Sequence, residues 1–241
     1  MDALGNYVAA VQTDMRASAS RFEALYHSGR KVSPVPFFGD VRKATVLTIG
    51  VNPSADEFLP SRGWQEEPDA QYLEHRLLNY FTTAPAPPHP WFRTWVDALG
   101  VISCSYTSTA AHLDLSFRPT IPMSESPRGL FKEMVEHDVR WFFEMLKHCP
   151  NVRLLMLAGC ATHGLYMHEF LHRNAPRFGC TFGGSVERGG KGKVSFNALE
   201  TGGRRLPVFF CSISPSARSS RMLVERVREE KKHLEDLMKM P

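Results

Sequence analysis

No stretch of the chain is apolar over the roughly 20 residues that a membrane-spanning helix needs, so none is expected. The segment from Met1 to Arg16 has no basic stretch followed by an apolar block, and it reads as something other than a secretory signal. Cysteine is sparse and poorly spaced for chemistry: Cys104, Cys149, Cys160, Cys180 and Cys211 include no C-x-x-C pair. That argues against a disulfide framework, a Cys-rich zinc module and a four-cysteine iron–sulfur cluster, and leaves reduced, mostly buried thiols. A strong charge of one sign is also lacking. Lys and Arg number 29 against 25 Asp and Glu, a net charge of +4, which permits a polyanionic partner without demanding one. No repeat of roughly 20–50 residues is visible. The expectation is a cytoplasmic, monomeric, single domain over 1–241, with a helical arm at 1–32 and a C-terminal helix at 219–240.

Four apolar or β-rich runs are present: Ala44–Gly50, Thr109–Leu115, Val152–Gly159 and Leu206–Ser212. Each is short and bounded by polar residues or turn formers, which predicts strands. Between the second and third, apolar residues recur at helical spacing from Leu130 to Cys149, and Ser219–Met240 reads as a charged amphipathic helix opened by serines. Tyr7, Val8, Val11, Met15, Phe22, Leu25 and Tyr26 suit one or two amphipathic helices at the start. The Pro-rich segment Ala84–Pro90 and the Gly-rich segment Gly183–Gly192 read as surface loops. Strands alternating with helices predict an α/β fold, a three-layer α/β/α sandwich around a mainly four-stranded parallel sheet. Such sheets bind ligands beyond the carboxyl ends of their strands, so chemistry is sought just after each run.

Gly50-Val51-Asn52-Pro53-Ser54-Ala55-Asp56-Glu57-Phe58 follows the first predicted strand. His112-Leu113-Asp114-Leu115-Ser116-Phe117-Arg118 spans the end of the second, and Ser212-Ile213-Ser214-Pro215-Ser216-Ala217-Arg218-Ser219-Ser220 follows the fourth. An amide such as Asn52 orients a water without being a strong base, and Pro53 fixes a turn that aims it. An Asn-Pro turn with no chemistry is the plain alternative. Asp56 and Glu57 are adjacent carboxylates that could share the water-activating role. The first segment resembles the water-activating motif of the uracil-DNA glycosylase superfamily, in the Gly-x-Asn-Pro form of its mismatch-specific and single-strand-selective branches. The last is similar to the loop with which that superfamily wedges into the minor groove. The likeness runs from about Pro34 to Arg221.

The resemblance implies a monofunctional DNA N-glycosylase that flips a base from duplex or single-stranded DNA and leaves an abasic site, without metal or organic cofactor. It implies Asn52, Asp114 and Ser214 as catalytic residues, and Gly50, Val51, Ser54 and Phe58 (or, failing it, Trp64) as the base pocket. It also implies DNA contacts by Pro53, Ser216, Ser219 and Arg221 with Arg218 as the wedge, to which the basic cluster adds Lys191 and Lys193. Two departures point to the substrate. Where the uracil-specific branch has a tyrosine that blocks carbon 5 of the base, this sequence has Ser54. Where the family has an asparagine that reads uracil's edge, the matching residue is Asp114. A protonated carboxyl there would accept from a cytosine amino group and donate to N3, the reverse of an amide's pattern. Asp114 as a turn cap or as the partner of Arg118 is the structural alternative. Ser214 stands where many members have His, which makes acid help from Asp114 more necessary.

The expected substrate is therefore a 5-substituted cytosine, hydroxymethylated or glucosylated, and superfamily members of that type resemble a phage-defence weapon. The alternatives are a uracil or mismatch repair glycosylase and a non-catalytic DNA-binding module. A rival motif, His168-Glu169-Phe170-Leu171-His172, matches the H-E-x-x-H pattern of zinc hydrolases, but no third-ligand pattern follows and Pro176 closes the helix.

Overall fold

The computed structural model describes residues 2–26, 32–65, 67–83, 89–122, 124–159, 165–183, 192–215 and 220–239. The helices are α1 (Ala3–Ala17), α2 (Ala70–Leu78), α3 (Tyr80–Thr83), α4 (Trp91–Val101), α5 (Arg128–Met145), α6 (Met167–Asn174), α7 (Ser220–Glu229) and α8 (Lys231–Lys239). The strands are β1 (Val46–Gly50), β2 (Ala110–Asp114), β3 (Leu154–Ala158), β4 (Thr181–Gly183), β5 (Val194–Thr201) and β6 (Arg204–Cys211). They form one six-stranded sheet in the order β2-β1-β3-β6-β5-β4, flanked by helices as in a three-layer α/β/α sandwich.

The four expected strands are the four parallel ones, β2, β1, β3 and β6. Every residue of β1, β2 and β3 is buried, as strands covered on both faces must be. The sheet is larger than expected because β5 adds antiparallel to β6 and β4 adds antiparallel to β5. The single C-terminal helix expected over 219–240 is two helices, interrupted at Glu230, although the Glu230 and Leu234 amides still bond back to Arg226 and Glu230. Carboxylates close the helix starts where the sequence offers them. Asp2 accepts from the Gly5 amide at the head of α1, and Asp69 from the Tyr72 amide at the head of α2.

The chain runs from β1 outward to β2, then crosses back to β3 on the other side of β1. That reversal is the topological switch point at which doubly wound sheets open a crevice. The segments that continue β1 and β2 stay paired past the strands. Leu115 and Ser116 donate to the carbonyls of Gly50 and Val51, Ala55 donates to the Thr120 carbonyl, and Thr120 donates to that of Pro53. The two loops that follow β1 and β2 are thus held by backbone hydrogen bonds.

Candidate functional site

A cleft of about 310 Å³ opens at the carboxyl ends of the four parallel strands. This is within the size range of small-molecule sites, roughly 300–1,000 Å³. Gly50 to Ser54 enter it after β1, Asp114 with Thr120 to Pro122 after β2, Ala158 and Gly159 at the end of β3, and Ser214 and Pro215 after β6. Asn52, Asp114 and Ser214 are therefore brought together, as are Gly50, Val51 and Ser54.

Asn52 is tightly oriented. Its Nδ2 donates to the Pro53 carbonyl at 2.9 Å and to Thr120 Oγ1 at 2.8 Å, while Thr120 Oγ1 itself donates to the Ile121 carbonyl at 3.0 Å. Both amide hydrogens are spent, so Oδ1 is left as an acceptor suited to a water. Pro53, expected among the DNA contacts, is buried and acts through its carbonyl instead. Thr120 was not anticipated; nothing in its sequence neighbourhood marks it, because its role depends on the pairing of two loops.

Asp114 lies beside Gly50 in the β1–β2 register, and His112 lies beside Thr48. Residues two apart on a strand share a face, so His112 and Asp114 point the same way. A Cβ on Gly50 would collide with Asp114 Oδ1 and come within 2.9 Å of His112 Nε2, so glycine is what allows the carboxyl to cross β1. Arg118 does not pair with Asp114; it pairs with Asp138, at 2.9 Å. Asp114 Oδ1 sits 3.3 Å from His112 Nε2, and His112 Nδ1 sits 2.8 Å from Thr48 Oγ1, which is 2.6 Å from the Tyr106 hydroxyl. The shortest contacts run in one direction: Tyr106 donates to Thr48, Thr48 donates to Nδ1, and Nε2–H donates to Asp114. The reverse direction needs Thr48 to give its proton to the Ala111 carbonyl, 3.5 Å away against 2.8 Å to Nδ1. Asp114 Oδ1 is thus occupied, and only Oδ2 remains for a ligand.

Phe58 does not line the cleft. It is buried against Phe38, Trp64 and Tyr80, and Trp64 is buried too, with Arg76 over its ring, so both aromatic candidates belong to the core. The aromatic wall is built instead from Phe38, Trp91 and Phe92, which surround the His112 ring at centroid distances of 4.9–5.5 Å. Trp91 and Phe92 open α4, and His89 lies just before it. His89 was expected in a surface loop, yet it lines the cleft half-buried. Its Nδ1 accepts from the Trp91 amide at 3.2 Å, which places the neutral ring's proton on Nε2. Burial, together with the Arg62 charge, lowers its pKa and favours that neutral form.

Of the adjacent carboxylates, Asp56 is exposed and Glu57 is buried in the cleft wall. The 3-10 turn Ala55–Glu57 separates them. Glu57 Oε1 accepts from the His89 amide at 2.8 Å. Burial raises the Glu57 carboxyl from an ordinary 4.5 to about 7, and the Asp114 charge adds to this against the pull of the His89 N–H and Arg62.

At the rim, Ser214 is exposed, and so is Lys193, whose carbonyl accepts from the Ser212 amide and whose amide donates to Ser212 Oγ. Arg221 projects from α7 with its side chain 92% exposed, paired with Glu225 at 3.0 Å. Ser216, Arg218, Ser219 and Lys191 lie outside the described residues. In the H-E-x-x-H segment, His168 is buried with its ring stacked on Phe210, whereas His172 is exposed. Among the described residues the group with metal-competent spacing is Asp14, His137 and Asp138, on α1 and α5, and it includes no residue of that motif. Arg118 already supplies the cation there, 2.9 Å from Asp138 and 3.7 Å from Asp14.

No protein-family model matches the chain, and no curated protein matches it by sequence.

Proposed function

We propose that this protein is a monofunctional DNA glycosylase that hydrolyses the N-glycosidic bond of a flipped-out base and leaves an abasic site. The observation that carries the reading is the Asn52 amide at the switch-point cleft, fixed so that its Oδ1 is free to orient a water. Asp114 and Ser214 share that cleft. Cleavage of such a bond develops positive charge on the sugar and negative charge on the base. Asn52 would hold the water for the sugar carbon, the aromatic wall of Phe38, Trp91 and Phe92 would receive the base, and Ser214 with His89 would donate to its developing charge.

The preferred substrate is a 5-substituted cytosine, hydroxymethylated or glucosylated, with restriction of phage DNA as the role. Ser54 lines the cleft with a short side chain that leaves room beside carbon 5. Asp114 Oδ2 offers an acceptor to the cytosine amino group. Arg221 and Lys193, exposed at the rim, would meet phosphates.

The test is base release from matched duplexes carrying uracil, thymine, cytosine, 5-hydroxymethylcytosine or its glucosylated form, with Asp114→Asn alongside. Release of the modified cytosine, lost in Asp114→Asn, is the expected result. Release of uracil alone would make this a repair enzyme. No release, with DNA binding retained, would make it a binding module.

A further inference from the structure

We propose, building on the glycosylase reading, that Glu57 is the acid that protonates the departing base, and that Asp114 is an acceptor that reads the base without protonating it. Both carboxyls line the cleft, but their hydrogen bonds differ. Asp114 receives the imidazole N–H of His112, at the end of a chain of donors running from Tyr106 through Thr48. Every member of that chain is buried, and the direction that uses its shortest contacts makes Asp114 the acceptor, the other acceptor of Thr48 being the Ala111 carbonyl at 3.5 Å. Glu57 receives only the His89 amide on Oε1, and Oε2 has no partner among the described residues. A carboxyl that is 5% exposed, faces a cleft and has, among the described residues, no ion pair on its second oxygen is one that holds a proton readily.

The step balances as follows. As the C1′–N1 bond breaks, its electron pair stays with the base, and Glu57 gives its carboxyl proton to that base. The water held by Asn52 adds its oxygen to C1′, and its surplus proton passes to solvent. Glu57 is recharged from solvent in turn. A cytosine-type base leaves as a stronger base than uracil does, so protonation accelerates its departure more. Glu57 is thereby a residue that sets the substrate class as well as the rate.

The groups facing Glu57 give the sign of the pH dependence. Asp114 from β2 and burial by the cleft wall favour the protonated acid, whereas Arg62 and the His89 N–H favour the carboxylate. An acid must be protonated to act, so kcat/KM should fall as pH rises through about 7.

The experiment is the pH profile of base release from a 5-hydroxymethylcytosine duplex and a uracil duplex by wild type, Glu57→Gln and Asp114→Asn. Glu57→Gln is isosteric and keeps an oxygen for the His89 amide, so it should fold. It is expected to lose release of the modified cytosine by about 100-fold or more, to lose uracil release by less, and to show no limb near neutrality. Asp114→Asn, which loses the modified cytosine, should on the uracil duplex keep a limb in wild-type direction, shifted to lower pH. Release whose limb survives in Glu57→Gln overturns this assignment and leaves the glycosylase reading standing. So does a rate that rises through neutrality, which would make Glu57 the base for water. No release by wild type from any duplex overturns the glycosylase reading and this inference with it.

Discussion

Two buried charged clusters among the described residues are built on opposite plans. Around Arg118 everything is closed. Its Nε bonds both oxygens of Asp138 at 3.1 and 2.9 Å, its terminal nitrogens reach Tyr26 and Ser18, and its guanidinium lies over the rings of Phe22 and Phe117. Asp138 also takes Ser116 Oγ at 2.6 Å and sits 2.8 Å from His137 Nδ1. Around Asp114 and Glu57 no Arg or Lys among the described residues pairs with either carboxyl, and Arg62 acts on Glu57 through its charge alone. One oxygen of each carboxyl is held, by His112 and by the His89 amide, and each side chain faces a cleft. A buried ion pair with every valence filled holds a fold in register, whereas buried acids left partly unpaired carry a cost that structure alone does not justify. The first cluster ties α1, the Phe117–Arg118 segment and α5 together; the second is where the proposed chemistry would take place.

The contrast is broken most severely by removing one partner of the closed pair. Asp138→Ala should cost about 3–5 kcal/mol in urea unfolding, because the Arg118 charge is left buried. The double change to Arg118→Met and Asp138→Leu should recover much of that loss. Glu57→Gln should do the opposite. A carboxyl raised in the folded state contributes stability below its unfolded pKa and loses it as pH rises through the folded one. Wild type therefore weakens between pH 4.5 and about 7, and the variant does not. Above that window Glu57→Gln should be the more stable protein by about 3 kcal/mol, and near pH 4 the two should coincide. Paired urea titrations at the two pH values would check this.

Asn52→Ala should change stability little and reduce base release by about 100-fold, since a misplaced reactant costs on that order, while DNA binding persists. The smallest effect belongs to Thr120→Val. It removes one hydrogen bond to the Asn52 amide, worth about 1 kcal/mol, so release should fall about fivefold with the pH profile unchanged. A loss in Thr120→Val as large as that in Asn52→Ala would mean that Thr120 meets the substrate itself.

How much of this was legible in the sequence follows from how local each feature is. The four parallel strands stood out because short buried strands are continuous apolar runs. β5 did not, since it is largely half-buried and alternates apolar with polar residues beside a Gly- and Lys-rich segment instead of forming a continuous apolar run. The Asn52-Pro53 turn and Asp114 could be placed because they sit at strand ends, where parallel sheets bind ligands. His112 was within reach of the same argument, being two residues before Asp114 on one strand face. Glu57 could not be separated from Asp56 by composition; the 3-10 turn buries one and exposes the other. Phe58 was misplaced because an aromatic next to a motif gives no direction, and its ring turns into the core. Thr120 and His89 reach the cleft through loop pairing and the start of α4, which no local pattern encodes.

The open-cluster account is tested most directly by following the Glu57 carboxyl carbon through a pH titration by NMR in wild type and in Asp114→Asn. A midpoint near 7 that moves down when the neighbouring charge is removed is the predicted result. A midpoint near the ordinary 4.5, unmoved by Asp114→Asn, would contradict it.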